Sequence, residues 1–362
     1  MTFHDLLKKA GILLGALLAF VVLVIVGLLA YREYQQQSIA RTTAITTPAG
    51  IESLEHVDVN GSQQWIYIRG HDTSNPVLLH VHGGPGSPVM GAARRFGLEA
   101  EKHFTIVHWD QRASGKSRRE GFLETDLEIQ VFVDDGVAVI DLLRQRFSKD
   151  KVYLVGHSWG SMLGTLIARD YPELLHAYVG MGQLVDVTDN EKISFAWVRE
   201  QAVAEGNQEA ISALEPLVPP YDQDPEQMLI QRNWLYYYGG GFHGNTMQEF
   251  GQTILTSPEY TLLDILAMVE GMLSVAVQMW PEMVAIDFRK DAINLKVPVY
   301  FFTGRHDYNT PFELTEEYYE VLSAPHKEII WFENSSHMMN ISDPEFYQQM
   351  LIEKVLQPSE TP

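Results

Sequence analysis

Lys151-Val152-Tyr153-Leu154-Val155 leads directly into Gly156-His157-Ser158-Trp159-Gly160, and a helix-like stretch follows from Ser161 to Asp170. A strand, a tight turn and a helix in that order can hold a serine hydroxyl up and away from the backbone. Gly156 and Gly160 remove Cβ atoms where strand and helix cross most closely, so the chain can turn sharply at Ser158. A Gly-x-Ser-x-Gly pentapeptide by itself says little, because an ordinary glycine turn with a solvent serine is spelled the same way. The flanking strand and helix give the reading its weight.

A serine nucleophile needs a base, and the base needs a carboxylate to orient it. Two later apolar runs supply them. Val297-Pro298-Val299-Tyr300-Phe301-Phe302-Thr303 ends in Gly304-Arg305-His306-Asp307, and Glu328-Ile329-Ile330-Trp331-Phe332 ends in Glu333-Asn334-Ser335-Ser336-His337. Asp307 and His337 thus lie just past the carboxyl ends of predicted strands, where open parallel sheets place their ligand chemistry. Taken singly, Asp307 could cap a turn with Asn309 and Pro311, and His337 could be a surface loop histidine. A further run, Pro76 to Val81, ends in His82-Gly83-Gly84-Pro85-Gly86. Consecutive glycines let backbone N–H groups face a bound carbonyl, so the oxyanion donors are expected at Gly84, with Gly83 second, paired with the N–H of Trp159. His80 and His82 share a strand face, but no cysteine exists and no carboxylate follows nearby. Neither a metal nor a cofactor is expected.

His82-Gly83-Gly84-Pro85-Gly86, Trp109-Asp110-Gln111-Arg112-Ala113-Ser114-Gly115-Lys116-Ser117, Gly156-His157-Ser158-Trp159-Gly160, Gly304-Arg305-His306-Asp307 and Ser336-His337-Met338 together resemble the proline iminopeptidase branch of the α/β-hydrolases. The resemblance runs from about Ile51 to Leu356 and includes the order nucleophile, acid, base. It implies a serine aminopeptidase whose cap binds the free amino end of a short peptide or amide. It also implies that the Asp-Gln-Arg segment braces the active-site loops, with Asp110 and Arg112 read as an internal ion pair. Ala113 stands where the family has glycine, which requires a negative φ there. The family's cap element Trp-Ser-x-Trp-Glu has as its nearest counterpart Trp234-Leu235-Tyr236-Tyr237-Tyr238-Gly239, without the glutamate. Trp234 and, for a second family glutamate, Glu270 are the candidate substrate-binding residues.

The amino terminus carries a separate signal. Gly11 to Ala30 is an uncharged apolar run, long enough as a helix to cross a hydrocarbon core of about 30 Å. Lys8 and Lys9 precede it, and Arg32 after it is offset by Glu33, so the amino end is expected in the cytoplasm and the enzyme outside it. A cleavable signal is the competing reading; its apolar part normally spans about 7–15 residues, and Leu28-Leu29-Ala30 is a poor cleavage site. Residues 1–33 are therefore read as a membrane anchor and 34–50, rich in Gln, Thr and Ser, as a stalk.

The chain has 362 residues, enough for one large domain with an insertion, and no cysteine for a disulfide or thiolate site. Twenty-six basic against 47 acidic residues give a net charge of −21, which repels nucleic acid. Short apolar strands alternating with amphipathic helices predict a mostly parallel sheet covered on both faces, and the resemblance implies that it is the eight-stranded sheet of an α/β-hydrolase fold. Between 184 and 295 the strand rhythm stops and helices and aromatics take over, which predicts a helical cap inserted into a core made of 51–183 and 296–358. The expected chemistry is acyl transfer through Ser158, Asp307 and His337. An aminopeptidase acting on short peptides is the first reading, a membrane-anchored carboxylesterase or amidase the second, and a non-catalytic binding protein on the same fold the third.

Overall fold

Eight apolar runs form one sheet: β1 (Ile51–Val59), β2 (Ser62–Gly70), β3 (Val77–Val81), β4 (Thr105–Asp110), β5 (Val152–His157), β6 (Leu175–Met181), β7 (Val299–Gly304) and β8 (Lys327–Phe332). The computed structural model describes residues 2–118, 127–221, 224–244 and 246–356. Residues 357 and 358, assigned above to the core, lie outside them. The strand order is β1-β2-β4-β3-β5-β6-β7-β8. β1 and β2 form an antiparallel hairpin, β2 runs antiparallel to β4, and every other neighbouring pair is parallel. Asn60 and Gly61 both have positive φ, 51° and 78°, the conformation a two-residue hairpin turn requires. From β3 the chain moves outward to β4 and then returns to the other side of β3 as β5. The loops after β3 and β5 therefore part at a switch point, and a crevice opens between them.

Alternation along the strands sends side chains to two cores. Leu79, Val81, Leu154, Tyr178 and Phe301 face one side, where α3 (Ile129–Phe147) and α4 (Trp159–Asp170) cover them. Leu78, Tyr153, Val155, Val179 and Phe302 face the other, closed by α13 (Pro344–Met350) and the turn that reaches Leu356. The short helices α2 (Ala93–Phe96), α10 (Phe288–Asp291) and α12 (Met339–Ser342) and the longer α11 (Phe312–Val321) complete the core.

The cap leaves the sheet after β6 and comprises α5 (Val187–Glu205), α6 (Gln208–Leu214), α7 (Gln227–Tyr237), α8 (Thr246–Thr256) and α9 (Leu262–Met283) before the chain returns to β7. Its two connections meet at an antiparallel bridge between Asp186 and Asp287. Arg289 clamps that neck, with Nη2 3.1 Å from Asp186 and 2.7 Å from Asp189, and Nε 2.9 Å from Asp287.

The stalk expected at 34–50 is helical as far as Thr42, because one continuous helix, α1 (Phe3–Thr42), includes both the apolar run and its polar extension. Gln, Arg and Glu are good helix formers, and cap contacts hold this extension in place. Arg32 donates from Nε to Leu255 O (2.8 Å) and from Nη2 to Tyr260 O (2.6 Å), while Gln36 Nε2 donates to Ser257 O (2.5 Å). Beyond the helix, Arg69 Nη2 donates to Thr43 O (2.7 Å), tying the connection to β2.

Four histidines are sealed into the sheet and its loops. Burial pushes His82 and His108 down to about 4, and holds His80 and His157 well below the ordinary histidine range. An unfolded chain takes up these protons near pH 6.5, whereas the folded chain refuses them at that pH, and at His82 and His108 until about pH 4. Their contribution to stability is therefore complete above the unfolded value and is lost as pH falls through that window. Asp110, pushed up to about 7 by burial, acts in the opposite sense, since its contribution is lost as pH rises toward 7. Glu101, Asp186 and Glu313 are raised by burial as Asp110 is, but the lowered histidines, His176 and His306 included, outnumber them, so the melting temperature is expected to drop between about pH 6.5 and about pH 4. Calorimetry across that range checks it, and a Tm that holds or rises on acidification contradicts it.

Candidate active site

Ser158 occupies the junction of β5 and α4 with φ 54° and ψ −120°, a backbone state that a side-chain-bearing residue adopts only under constraint. The constraint comes from close packing. A Cβ at Gly156 would stand 2.3 Å from Gly160 O, and one at Gly160 would stand 2.2 Å from Val81 O. The turn is held from below as well: Ser158 N donates to Met181 O (2.9 Å), and Ser161 Oγ donates to Ser158 O (2.6 Å).

The loops after β7 and β8 bring the acid and the imidazole together. His337 Nδ1 lies 2.9 Å from Asp307 Oδ2, with both side chains buried. The other carboxylate oxygen, Oδ1, accepts from the N–H groups of Asn309 and Thr310, each at 2.9 Å. Thr310 Oγ1 donates to Oδ2 (2.8 Å) and lies 3.1 Å from His337 Nδ1. The carboxylate thus has more than one fixed partner, and its position is set independently of the histidine. Gly182, one residue past the carbonyl that Ser158 N bonds, has φ 55°; a Cβ there would stand 2.8 Å from His337 Cε1 and Nδ1. The imidazole therefore fills the space that a side chain at 182 would take, next to the serine turn. The His157 ring lies against the His337 ring, tilted by 40° at 4.7 Å between centroids, and His157 Nε2 donates to His337 O (3.0 Å).

The glycine loop after β3 closes the third side. Gly83 is the glycine nearest the serine, since a Cβ there would stand 3.0 Å from Ser158 Cβ. Gly84, with φ 118°, turns the chain back on Gly86 and Ser87. Trp159 is the first residue of α4, and the first N–H groups of a helix have no intrahelical acceptor. Gln111 clasps the two halves: its N donates to His82 Nε2 (3.1 Å), its Nε2 to His82 O (2.9 Å), and its Oε1 accepts from Trp159 Nε1 (3.0 Å). Because His82 Nε2 accepts, the proton resides on Nδ1, which donates to Gly83 O (2.7 Å). Burial, which keeps His82 neutral, and this tautomer agree.

Several expectations need correction. Asp110 and Arg112 do not pair. Arg112 makes a bidentate contact with Asp135 (2.8 and 2.9 Å), whereas Asp110 accepts from Lys116 N (3.0 Å) and Tyr260 Oη (2.8 Å). The strand ends at Asp110 and Arg112 lies in the turn beyond it, so no strand register holds the two side chains on one face. Ala113 has φ 58°, not the negative value an alanine prefers, and left-handed backbone costs a non-glycine residue about 1–2 kcal/mol. Its carbonyl packs on α9, where a Cβ at Gly271 would stand 2.6 Å from Ala113 O. Glu270 is turned outward on α9, its side chain 69% exposed and 3.7 Å from Arg118. Trp234 sits half-buried among cap aromatics, with Tyr237 and Tyr238 at 5.6 and 6.3 Å. His80 lies beside the ring of His108 at 5.1 Å, inside the sheet.

Thr310 and Gly182 were not singled out from sequence, and Gln111 was read only as part of the bracing Asp-Gln-Arg segment, without its partners His82 and Trp159. Thr310 carried a local signal, because a residue three beyond an aspartate is where an Asx-type turn places its donors. Replacing it with valine removes one donor from Oδ2 and leaves the imidazole contact intact. The expected result is a fall in kcat of about tenfold, equal to about 1.4 kcal/mol, with KM unchanged. Steady-state kinetics on the purified variant read it; unchanged kcat would deny Thr310 a positioning role.

Residues 76–215 match the family model described as the alpha/beta hydrolase fold. A probable aminopeptidase, YbaC of Bacillus subtilis, is 34% identical over 307 residues, covering 83% of this chain and 95% of that protein. The crystal structure of a proline iminopeptidase from Mycobacterium smegmatis superposes with a TM-score of 0.62 at 19% identity, covering 85% of this chain and 99% of that one. The structure of a membrane phospholipase A, described as a bacterial virulence factor, gives 0.60 at 15% identity and covers 99% of this chain and 100% of that one.

Proposed function

Since the chain belongs to the α/β-hydrolase family, in its proline iminopeptidase-like branch, we propose that it is a serine hydrolase working through an acyl-enzyme. The observation that carries this reading is the strained turn at Ser158 beside the Asp307–His337 pair. His337 Nε2 takes the Ser158 Oγ proton as Oγ bonds to the substrate carbonyl carbon. The carbonyl oxygen, now an oxyanion, is held by N–H groups of the 83–84 turn and of Trp159. When the tetrahedral adduct collapses, the bond to the leaving group breaks and that group takes the proton from Nε2. Water then repeats the cycle on the ester, releasing the acid and restoring Ser158. Asp307 keeps the Nδ1 proton in place and offsets the imidazolium charge while it exists.

The substrate reading put first is release of amino-terminal residues from short peptides. Its support is the aminopeptidase relative and the acidic surface, which favours amine-bearing ligands. Aminoacyl amides, N-blocked amides and simple esters tested side by side decide it. The expected order places free-amine amides first with strong loss on blocking. Equal cleavage of blocked substrates would sink the peptidase reading and leave a carboxylesterase or amidase. One observation favours that second reading: Glu270 is solvent-facing and paired with Arg118, so it offers no ammonium partner inside the cap.

α1 is read as a single membrane span with the amino end cytoplasmic and the catalytic domain extracytoplasmic. Its apolar window has a mean hydropathy of 3.2 and none of it is buried in the protein.

A further inference from the structure

α9 presents a second apolar surface with no cover. Leu262, Leu263, Leu266 and Val269 are all exposed on its first half, Leu263 by 71%, and Leu255 at the end of α8 is exposed by 50%. A soluble helix would place polar residues on such a face. Here leucine and valine hold four of the exposed positions and Glu270, 3.7 Å from Arg118, is the one acid among them, while the inner face, with Met268, Val275 and Met279, packs into the protein.

α1 says what lies against this face. Its uncharged run ends at Ala30, and Arg32 and Gln36 bond the carbonyls of Leu255 at the end of α8 and of Ser257 and Tyr260 in the α8–α9 turn. Those two residues stand about 3 and 9 Å beyond Ala30 at about 1.5 Å of rise each. Within that short height Tyr31 and Tyr34 are exposed, the aromatic pattern of a membrane–water boundary. A groove of about 510 Å³ between α1 and α8, lined by Tyr31, Gln35, Arg95, Leu255 and Thr256, opens at the same level and offers a cation. The turn is thus fixed at headgroup height, and α9 starts from it at Leu262. At its middle, α9 meets the glycine loop of the active site: a Cβ at Gly86 would stand 2.8 Å from Gly271 C and 2.7 Å from Met272 N.

We infer that the outer face of α9's first half, together with Leu255, is seated in the lipid interface. The cap is then held to the bilayer at two places, α1 and α9, and the helix that roofs the glycine loop is itself membrane-bound. The inference rests on reading α1 as a span and is independent of the chemistry at Ser158. Interfacial helices bury their apolar face about 5–10 Å into the headgroup and acyl boundary, which fits leucines at the start of α9.

The absence of cysteine makes the test direct, because any introduced thiol is the only one. Full-length Leu263→Cys, Leu266→Cys, Leu23→Cys and Val218→Cys variants are labelled with an environment-sensitive fluorophore and reconstituted in phosphatidylcholine–phosphatidylglycerol nanodiscs, with and without nitroxide-bearing lipid. Leu23 reports the span itself. Val218 is exposed and neighbours the far end of α9, where Trp280 Nε1 bonds Pro220 O, about 25 Å from Leu263 along the helix. The expected result is a blue shift and nitroxide quenching at 263 and 266 as well as 23, and neither at 218. Quenching at 23 with 263 and 266 behaving like 218 would overturn the inference and spare the span. Loss of quenching at 23 would overturn the span reading and this inference with it. An unlabelled Leu263→Cys protein that forms disulfide dimers in nanodiscs, with the same position unquenched, would give the face to a second copy and overturn the lipid assignment.

Discussion

Alanine at position 158 is expected to lower kcat by about 10⁶-fold while leaving the protein folded. The acyl-enzyme route needs an oxygen at that position, and no neighbouring hydroxyl can replace it: Ser161 Oγ is committed to Ser158 O and to Leu184 N. Alanine keeps the Cβ and therefore the same backbone strain at φ 54°, so the melting temperature is expected to stay within a few degrees of the parent. The two readouts are hydrolysis of an activated ester and covalent capture of a fluorophosphonate probe. Both should vanish together. A variant that still turns over substrate, or still labels, would remove Ser158 from the mechanism. A parent protein that never labels would favour the non-catalytic reading.

Asparagine at position 307 is expected to cost about 10⁴-fold in kcat. The reason is the direction of a single proton. Oδ1 of Asp307 accepts two backbone N–H groups, so an asparagine there keeps its carbonyl oxygen on that side and turns its NH₂ toward His337 Nδ1. Nδ1 must then accept, the ring proton moves to Nε2, and Nε2 can no longer take the serine proton. Stability should change little, since the side chain keeps its size and most of its bonds. Kinetics with an activated ester, and the ring ¹⁵N shifts of His337, distinguish a wrong tautomer from a collapsed loop. An Asp307→Asn enzyme of near-parental rate would mean that the imidazole is oriented by something else.

Legibility differed by level. All eight strands and their sequence order follow from short apolar runs, because each strand is written in consecutive residues. The three side chains at strand ends could be picked out for the same reason, since the sheet brings distant strand ends to one edge. The continuation of α1 past the apolar run was hidden, because Gln- and Thr-rich sequence is compatible with either linker or helix, and the decision belongs to Leu255, Ser257 and Tyr260, far along the chain. The partner of Arg112 was hidden likewise: Asp135 lies a helix away, and nothing local prefers it over Asp110. The positive φ of Ala113 is contrary to what alanine prefers alone, and it is imposed by packing against Gly271.

The neck of the cap has a consequence for how such a protein can change. β6 and β7 are adjacent and parallel, and the bridge of Asp186 with Asp287, clamped by Arg289, brings both ends of the insertion to one narrow gate. Whatever length of chain loops out beyond that gate, the strands below it keep their register. The upper storey can therefore be rebuilt or exchanged as a cassette, with new selectivity grafted above an unchanged reaction centre.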